Sequence, residues 1–464
     1  MLFNSLIFLF AFLPVTYLVF WQLRSTGQRH VWLTITGYVF YGYWDPRFCL
    51  LMLFTTLVSY CAGLGFLRAT EQWQRKLLLV APITVDLCVL GFFKYAGFAS
   101  RSLNDVFAFF GSDAHLPVLD IILPIGISFY TFHTISYIVD SYRGVITPTK
   151  SLFEFTAYVS LFSQLVAGPI VRFRQIEKDL ENLGNADRAA GLSKGLSFLV
   201  YGLVEKVLIA DTIAHFIEPN FASFESLSTL GAWLTMLGYS LQLYFDFSGY
   251  SSMAVGLGLM FGLHIPQNFN SPYRALNPSD FWRRWHISLS TCLRDYLYIS
   301  MGGNRHGQAR MLLALFLTML IGGLWHGANW TFVLWGAYHG ILLIAYRLTA
   351  PTWDALPVFV SRSFMLLLVV LGWVLFRCTD LAMAGVFYAK MFTPTAGTEG
   401  VGAVPLAVLV IAAGAWSIWG KNAFEFHEPY AGTARARLAA AFTFGIAFAV
   451  ILGSRPSPFL YFQF

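Results

Sequence analysis

Charge is what this sequence has least of. Asp, Glu, Lys and Arg make up 12% of its 464 residues, against roughly 25% in an ordinary soluble domain. Cysteine is scarce too. Cys49, Cys61, Cys88, Cys292 and Cys378 are widely spaced, form no C-x-x-C pair, and mostly lie within or beside apolar segments. They read as small buried residues, which sets aside a disulfide scaffold and a cysteine metal site; no metal is expected. No Gly-rich phosphate loop with its Lys, no H-E-x-x-H and no G-x-S-x-G occurs, so the usual signals of ATP-driven transport and zinc hydrolysis are missing. The Arg residues are scattered among apolar spans with no soluble basic module, so nucleic acid is not an expected partner.

What is present is apolar surface. The chain is 57% hydrophobic, with 45 Phe, 22 Tyr and 14 Trp, an aromatic load suited to interfacial belts and packed membrane helices. Met1–Leu23, Cys49–Leu67, Ile121–Val139, Ser226–Phe245, Phe247–Tyr273, Met311–Tyr346 and Val401–Gly420 contain no Asp, Glu, Lys or Arg. A single signal peptide cannot account for this pattern, and Met1–Leu23 has no basic residue before its apolar run. The reading is an all-α polytopic membrane protein with about 11–13 transmembrane or re-entrant helices. Met253–Leu263 and the stretch around Leu161–Pro169 look too short to cross and are expected as half-helices or re-entrant segments. Irregular backbone at membrane depth requires surrounding protein or water, which implies an internal funnel.

Basic residues supply an orientation. Arg68, Arg75, Lys76, Arg143, Lys150, Arg172, Arg174, Lys178, Arg188 and Lys194 mark loops, and the densest set is Arg274, Arg283, Arg284, Arg294, Arg305 and Arg310. The positive-inside rule puts these loops in the cytoplasm and the N-terminus outside. The net charge of +6 is then mostly inner-face anchoring.

Three blocks carry candidate chemistry. In "GGLWHGANW", His326 is a titratable ring in the middle of the uncharged Met311–Tyr346 run, flanked by Trp325, Asn329 and Trp330; such a residue is expected to face a cavity. Imidazole can take a proton from an attacking hydroxyl and return it to a leaving thiol, relay protons in a transporter, or simply hydrogen-bond across helices. His339 lies 13 residues on, about 20 Å along a continuous helix, too far for a close pair. The second block is "NPSDFWRRWHISLSTCLRDYLYISMGGNRHG". Its Asn277–Asp280 start resembles a helix cap, and the mixture of Trp with Arg283, Arg284 and Arg294 suits an interfacial helix. Those arginines can snorkel to lipid phosphates, or form a positive mouth for an anionic donor; the two accounts are compatible. His286 sits in this piece. The third block places Asp246 between two uncharged stretches, as a structural acceptor, a partner orienting a histidine, or a proton-path residue. A proton-coupled or lipid-linked sugar transporter and a non-enzymatic scaffold of a polysaccharide synthase are the readings from other classes.

Five motifs, in order, resemble the membrane-bound O-acyltransferase superfamily and its bacterial alginate O-acetyltransferase group: "LPIGISFYTFHTISYIVDSYRG", "QLVAGPIVRF", "LYFDFSGYSSMAVGLGLMFG", "PQNFNSPYRALNPSDFWRRWHISLSTCLRDYLYISMGGNR" and "GGLWHGANWTFVLWGAYHG". The likeness runs from the opening residues to the closing "PFLYFQF". It implies one domain over 1–464, with peripheral N-terminal helices about 1–98, a catalytic core about 121–347 and C-terminal helices about 360–464. It implies a ring of helices around a catalytic funnel, with His326 as the essential histidine and His286 as its companion. Both are present. It further implies a multi-pass protein of the bacterial inner membrane that takes an acetyl group from a cytoplasmic donor, acetyl-CoA, with no bound cofactor. A periplasmic or membrane-anchored partner then esterifies an exported polysaccharide, alginate for the named group, with cellulose and peptidoglycan as alternatives. In this scheme the donor passes Arg283, Arg284 and His286, while Trp325, Asn329 and Trp330 shape the pocket and Asn329 is a candidate oxyanion donor.

Overall fold

The computed structural model describes residues 1–400, 404–430, 434–453 and 459–460, and every regular element among them is a helix. The chain is an all-α, multi-pass membrane protein. Five described helices are long and apolar enough to cross a bilayer: Arg47–Phe66, Gln72–Phe109, Gln308–His326, Trp330–Asp354 and Val358–Arg377. Shorter apolar helices include Phe8–Gln22, Leu381–Phe392, Pro405–Trp419 and Ala441–Gly453. Of the closing "PFLYFQF", all but Phe459 and Leu460 lies outside the described residues.

The backbone divides into two compact units, Met1–Leu192 with Leu257–Ile265, and Ser193–Gly256 with Pro266–Phe464. In the first, Arg47–Phe66 (α1), Gln72–Leu90 (α2) and Ile127–Tyr142 (α3) pack together. Asp86 of α2 is fully buried and accepts from Thr134 Oγ1 of α3 at 2.6 Å. The stretch around Leu161–Pro169, expected to be re-entrant, follows Leu152–Val159 (α4) as non-helical turns and is buried throughout. Its polar groups are met by protein: Gln164 Nε2 donates to Tyr158 O at 2.7 Å, and Tyr158 OH to Val171 O at 3.0 Å.

The segment Met253–Leu263 is corrected by the structure. It is no separate half-helix but the end of a single helix, Thr229–Met260 (α5). No proline interrupts that run, and glycine alone weakens a helix without stopping it when its surroundings are packed. What stops it is Gly262 at φ +77°, a left-handed conformation that side chains disfavour. Leu263 N then donates back to Gly258 O at 2.9 Å, closing the last turn.

The second unit holds the elements that matter below. Asn277 caps Pro278–Arg284 (α6), its side chain accepting from Asp280 N at 2.8 Å, with Pro278 at the first helical position where no N–H is needed. His286 separates α6 from Ile287–Cys292 (α7). Gln308–His326 (α8) and Trp330–Asp354 (α9) form an antiparallel hairpin joined at Gly327–Asn329, and Val358–Arg377 (α10) packs against α9. The α8–α9 contact is close because glycines face each other: a Cβ on Gly336 would meet Leu320 Cα at 3.0 Å and Gly323 Cα at 3.1 Å. Small residues at such crossings supply the van der Waals contact that replaces the hydrophobic effect in lipid.

Candidate active site

His326 is the last residue of α8. Gly327 adopts an extended backbone and ends the helix, and the chain restarts at Asn329, whose Oδ1 accepts from Thr331 N at 3.1 Å. The ring is only 5% exposed. It packs edge-on against Trp325, Trp335 and Phe376 at 5.0, 5.1 and 5.2 Å between centroids, a geometry in which aromatic edges meet aromatic faces. His286 comes to 6.5 Å. Even with nitrogens pointed at each other, rings at that spacing leave about 4 Å between them, beyond hydrogen-bond reach. Any link between the two therefore runs through an intervening atom.

A cavity of about 610 Å³ reaches His326. Its wall includes Met311, Leu315, Thr318, Met319, Gly322 and His326, a stripe along the length of α8. Fifteen residues at 1.5 Å per residue is about 22 Å. Because the hairpin is antiparallel, α9 contributes Arg347 and Tyr346 at the Met311 end and Trp335 at the His326 end. Arg283, Arg294 and Tyr298 also line it. The cavity is thus long and mainly apolar along its wall, with cations along its course and an imidazole at one end.

The residues singled out from sequence separate into groups. His286, His326 and Trp325 are brought together, Trp325 lying 6.2 Å from His286. Arg283 lines the cavity, is exposed, and has no carboxylate partner among the described residues. Arg284 is turned aside: its Nε donates to Asp280 Oδ1 at 2.8 Å and its Nη1 to Asn270 O at 3.3 Å. His286 is wholly buried and lines no part of the cavity wall. The cavity that reaches His326 is therefore lined by Arg283, Arg294 and Arg347; of the Arg283, Arg284 and His286 expected along it from the sequence, only Arg283 is on its wall. Asn329 caps α9 and donates to Thr379 O at 2.5 Å, and Trp330 is half exposed; neither lines the cavity. His339 shares Trp335 with His326, at 4.8 Å, without pairing with it.

Asp246 is held elsewhere in the second unit. Lys206 Nζ lies 2.6 Å from its Oδ1, Leu460 N donates to its Oδ2 at 2.9 Å, and Lys206 also reaches Asp211 Oδ1 at 2.7 Å. Ser248 donates to Glu205 Oε2 at 2.9 Å. Sequence reasoning overlooked Lys206, although a cation inside an apolar run is itself the signal that a buried anion needs a partner. It also overlooked Arg347, Trp335 and Asn268. Among the described residues no three His, Cys, Asp or Glu side chains come together as metal ligands would.

Comparison with known proteins places the chain in a family. The model of the membrane-bound O-acyltransferase family matches residues 145–387. The chain is 45% identical over 402 residues to a probable alginate O-acetylase, AlgI, of Pseudomonas aeruginosa, covering 85% of this chain and 75% of the relative. It is 46% identical over 400 residues to the same-named protein of Azotobacter vinelandii (85% and 78%). It is 36% identical over 434 residues to a peptidoglycan O-acetyltransferase of Helicobacter pylori (86% and 81%).

Proposed function

This chain belongs to the membrane-bound O-acyltransferase family and is an O-acyltransferase, and we propose that it moves an acetyl group from acetyl-CoA on the cytoplasmic side of a bacterial inner membrane toward an exported polysaccharide, alginate. The observation that carries the reading is the cavity along the α8–α9 hairpin, which joins arginines to His326. Its shape suits a long thin thioester arm, and Arg283, Arg294 and Arg347 suit the phosphates of the donor's nucleotide. Arg283 and Arg294 belong to the densest basic set, which the positive-inside rule assigns to the cytoplasm, and Arg347 of α9 reaches Met311, the neighbour of Arg310 in that set.

The chemistry follows from the ring at the end of the cavity. An acceptor hydroxyl gives its proton to His326 while its oxygen attacks the thioester carbonyl carbon. The carbon–sulfur bond then breaks, and the imidazolium returns the proton to the departing thiolate. An ester and a free thiol result, with no net change in protons on the enzyme. Trp325, Trp335 and Phe376 exclude water that would otherwise hydrolyse the thioester. The acceptor hydroxyl arrives from the opposite face, and a periplasmic or membrane-anchored partner completes esterification of the polymer. Alginate is favoured by the names of the relatives with 45–46% identity. Peptidoglycan is the second reading, favoured by the Helicobacter relative's coverage of 86% of the chain.

The test is acetyl-CoA consumption by membranes carrying the wild-type chain or His326→Ala, together with alkali-released acetate from exported alginate and from the cell wall. Loss of both signals in the variant at equal protein level is expected. Unchanged ester content would overturn the assignment, and acetate recovered only from the cell wall would move the acceptor to peptidoglycan.

A further inference from the structure

His286 is buried, does not line the cavity, and yet sits beside the reacting ring. What holds it there is Asn268, in the loop that follows α5. The backbone oxygen of Asn268 accepts from Ile287 N at 2.9 Å. Its Oδ1 accepts from Ser288 N at 3.1 Å and from Ser288 Oγ at 2.8 Å, and lies 3.2 Å from His286 Nδ1. Its Nδ2 donates to Ser251 Oγ at 3.2 Å. Asn268 is itself only 1% exposed.

These contacts decide more than position. A backbone N–H can only donate, so the amide atom facing Ser288 N is the oxygen and not the nitrogen. That oxygen can only accept. The His286 nitrogen facing it must carry hydrogen, and in the neutral ring the lone pair is then on Nε2. The same residue also fixes the backbone on which the ring is mounted. His286 has φ 44° and ψ 55°, one of two non-glycine residues in the left-handed region among those described. Such a conformation persists when neighbouring contacts over-determine it, and Asn268 grips the two N–H groups that immediately follow.

We propose that Asn268 is a positioning residue for acyl transfer, fixing His286 as the Nδ1–H tautomer and keeping Nε2 as the acceptor nitrogen of the buried histidine pair. This rests on the reading of His286 and His326 as the transfer centre. It also gives the polar chain behind the pair a limit. A cavity of about 20 Å³ beyond Asn268 is lined by Glu205, Ser248, Ser251 and Ser252, room for a single water. Asn268 lines that cavity and also meets His286, and its amide does not exchange protons readily. Rings packed on His286 include Phe247, Phe269, Trp325 and His326, and His326 is the one of these four with a titratable side chain.

The experiment compares Asn268→Ala, Asn268→Asp and His326→Ala as full-length protein in membranes, measuring kcat, KM for acetyl-CoA and the pH–rate profile per molecule of folded protein. Asn268→Ala is expected to lower kcat at least about tenfold with KM changed less than about twofold, as for an interaction felt mainly in the transition state. Asn268→Asp keeps an acceptor for the same three donors. It should retain more activity than Asn268→Ala, and its acidic limb should move to higher pH, because a carboxylate beside the ring favours imidazolium. Wild-type kcat in Asn268→Ala, or an unshifted profile or no better activity in Asn268→Asp, would overturn the inference while leaving the site reading intact. Should Asn268→Ala fail to accumulate, the Asn268→Asp profile decides alone. Full activity in His326→Ala would instead remove the site reading on which the inference rests.

Discussion

The second unit contains two buried polar centres, and they are built on opposite plans. At one, Asp246 and Lys206, 1% and 4% exposed, meet at 2.6 Å, with Leu460 N and Asp211 taking up further bonding capacity. At the other, His286 and His326 are equally buried but stand 6.5 Å apart among aromatic rings, with a cavity reaching one of them. Charges removed from water are tolerated when each is paired and hydrogen-bonded. Imidazole can stay neutral, so it can be buried without a counter-ion and kept for a substrate. The contrast teaches that burial of an ionisable group does not by itself mark chemistry. A closed pair is architecture, and a ring at the end of a cavity is a place where a reacting atom fits.

That contrast can be broken by substitution. The largest effect is expected at the histidine: His326→Ala should lower turnover by about 10²–10⁴, the usual range for a general base, with protein amount unchanged, as measured by thiol release against immunoblot. Lys206→Met should act the other way. It leaves Asp246 as an uncompensated buried charge, costing about 3–5 kcal/mol, so folded protein should fall while turnover per folded molecule stays near wild type. The double change Lys206→Met with Asp246→Asn should restore most of the amount, read by detergent-extracted thermal stability. Next in size, Arg283→Ala should raise KM for acetyl-CoA several-fold, about 1 kcal/mol in a partly solvated phosphate contact, with kcat little altered. Smallest, Arg284→Ala should leave KM within about twofold, because that guanidinium is engaged by Asp280.

How much of this was legible beforehand depends on the kind of information. The membrane class and all-helical fold are composition and run-length properties, so residues such as those of Met311–Tyr346 announce them directly. His326 stood out for the same reason, a histidine in the middle of an uncharged run and flanked by Trp325, Gly327 and Trp330. The resemblance to a known family supplied the pairing with His286, which spacing alone could not. What was not legible is direction. Arg283 and Arg284 are adjacent and chemically identical, and only the placement of Asp280 one helical turn before Arg284 sends one to a salt bridge and leaves the other on the cavity. Asn329 has the chemistry of an oxyanion donor, but the break at Gly327 makes it the cap of α9. The boundary at Met253 was misplaced because glycines look like punctuation until the packing around them is known.

The most direct test sets the two centres side by side: turnover per folded molecule, from acetyl-CoA-dependent thiol release, for His326→Ala and for the Lys206→Met, Asp246→Asn double variant in the same membranes. The account predicts that the histidine variant collapses by about two orders of magnitude or more while the double variant works at close to the wild-type rate. Equal loss in both, or a histidine variant that keeps its rate, would contradict it.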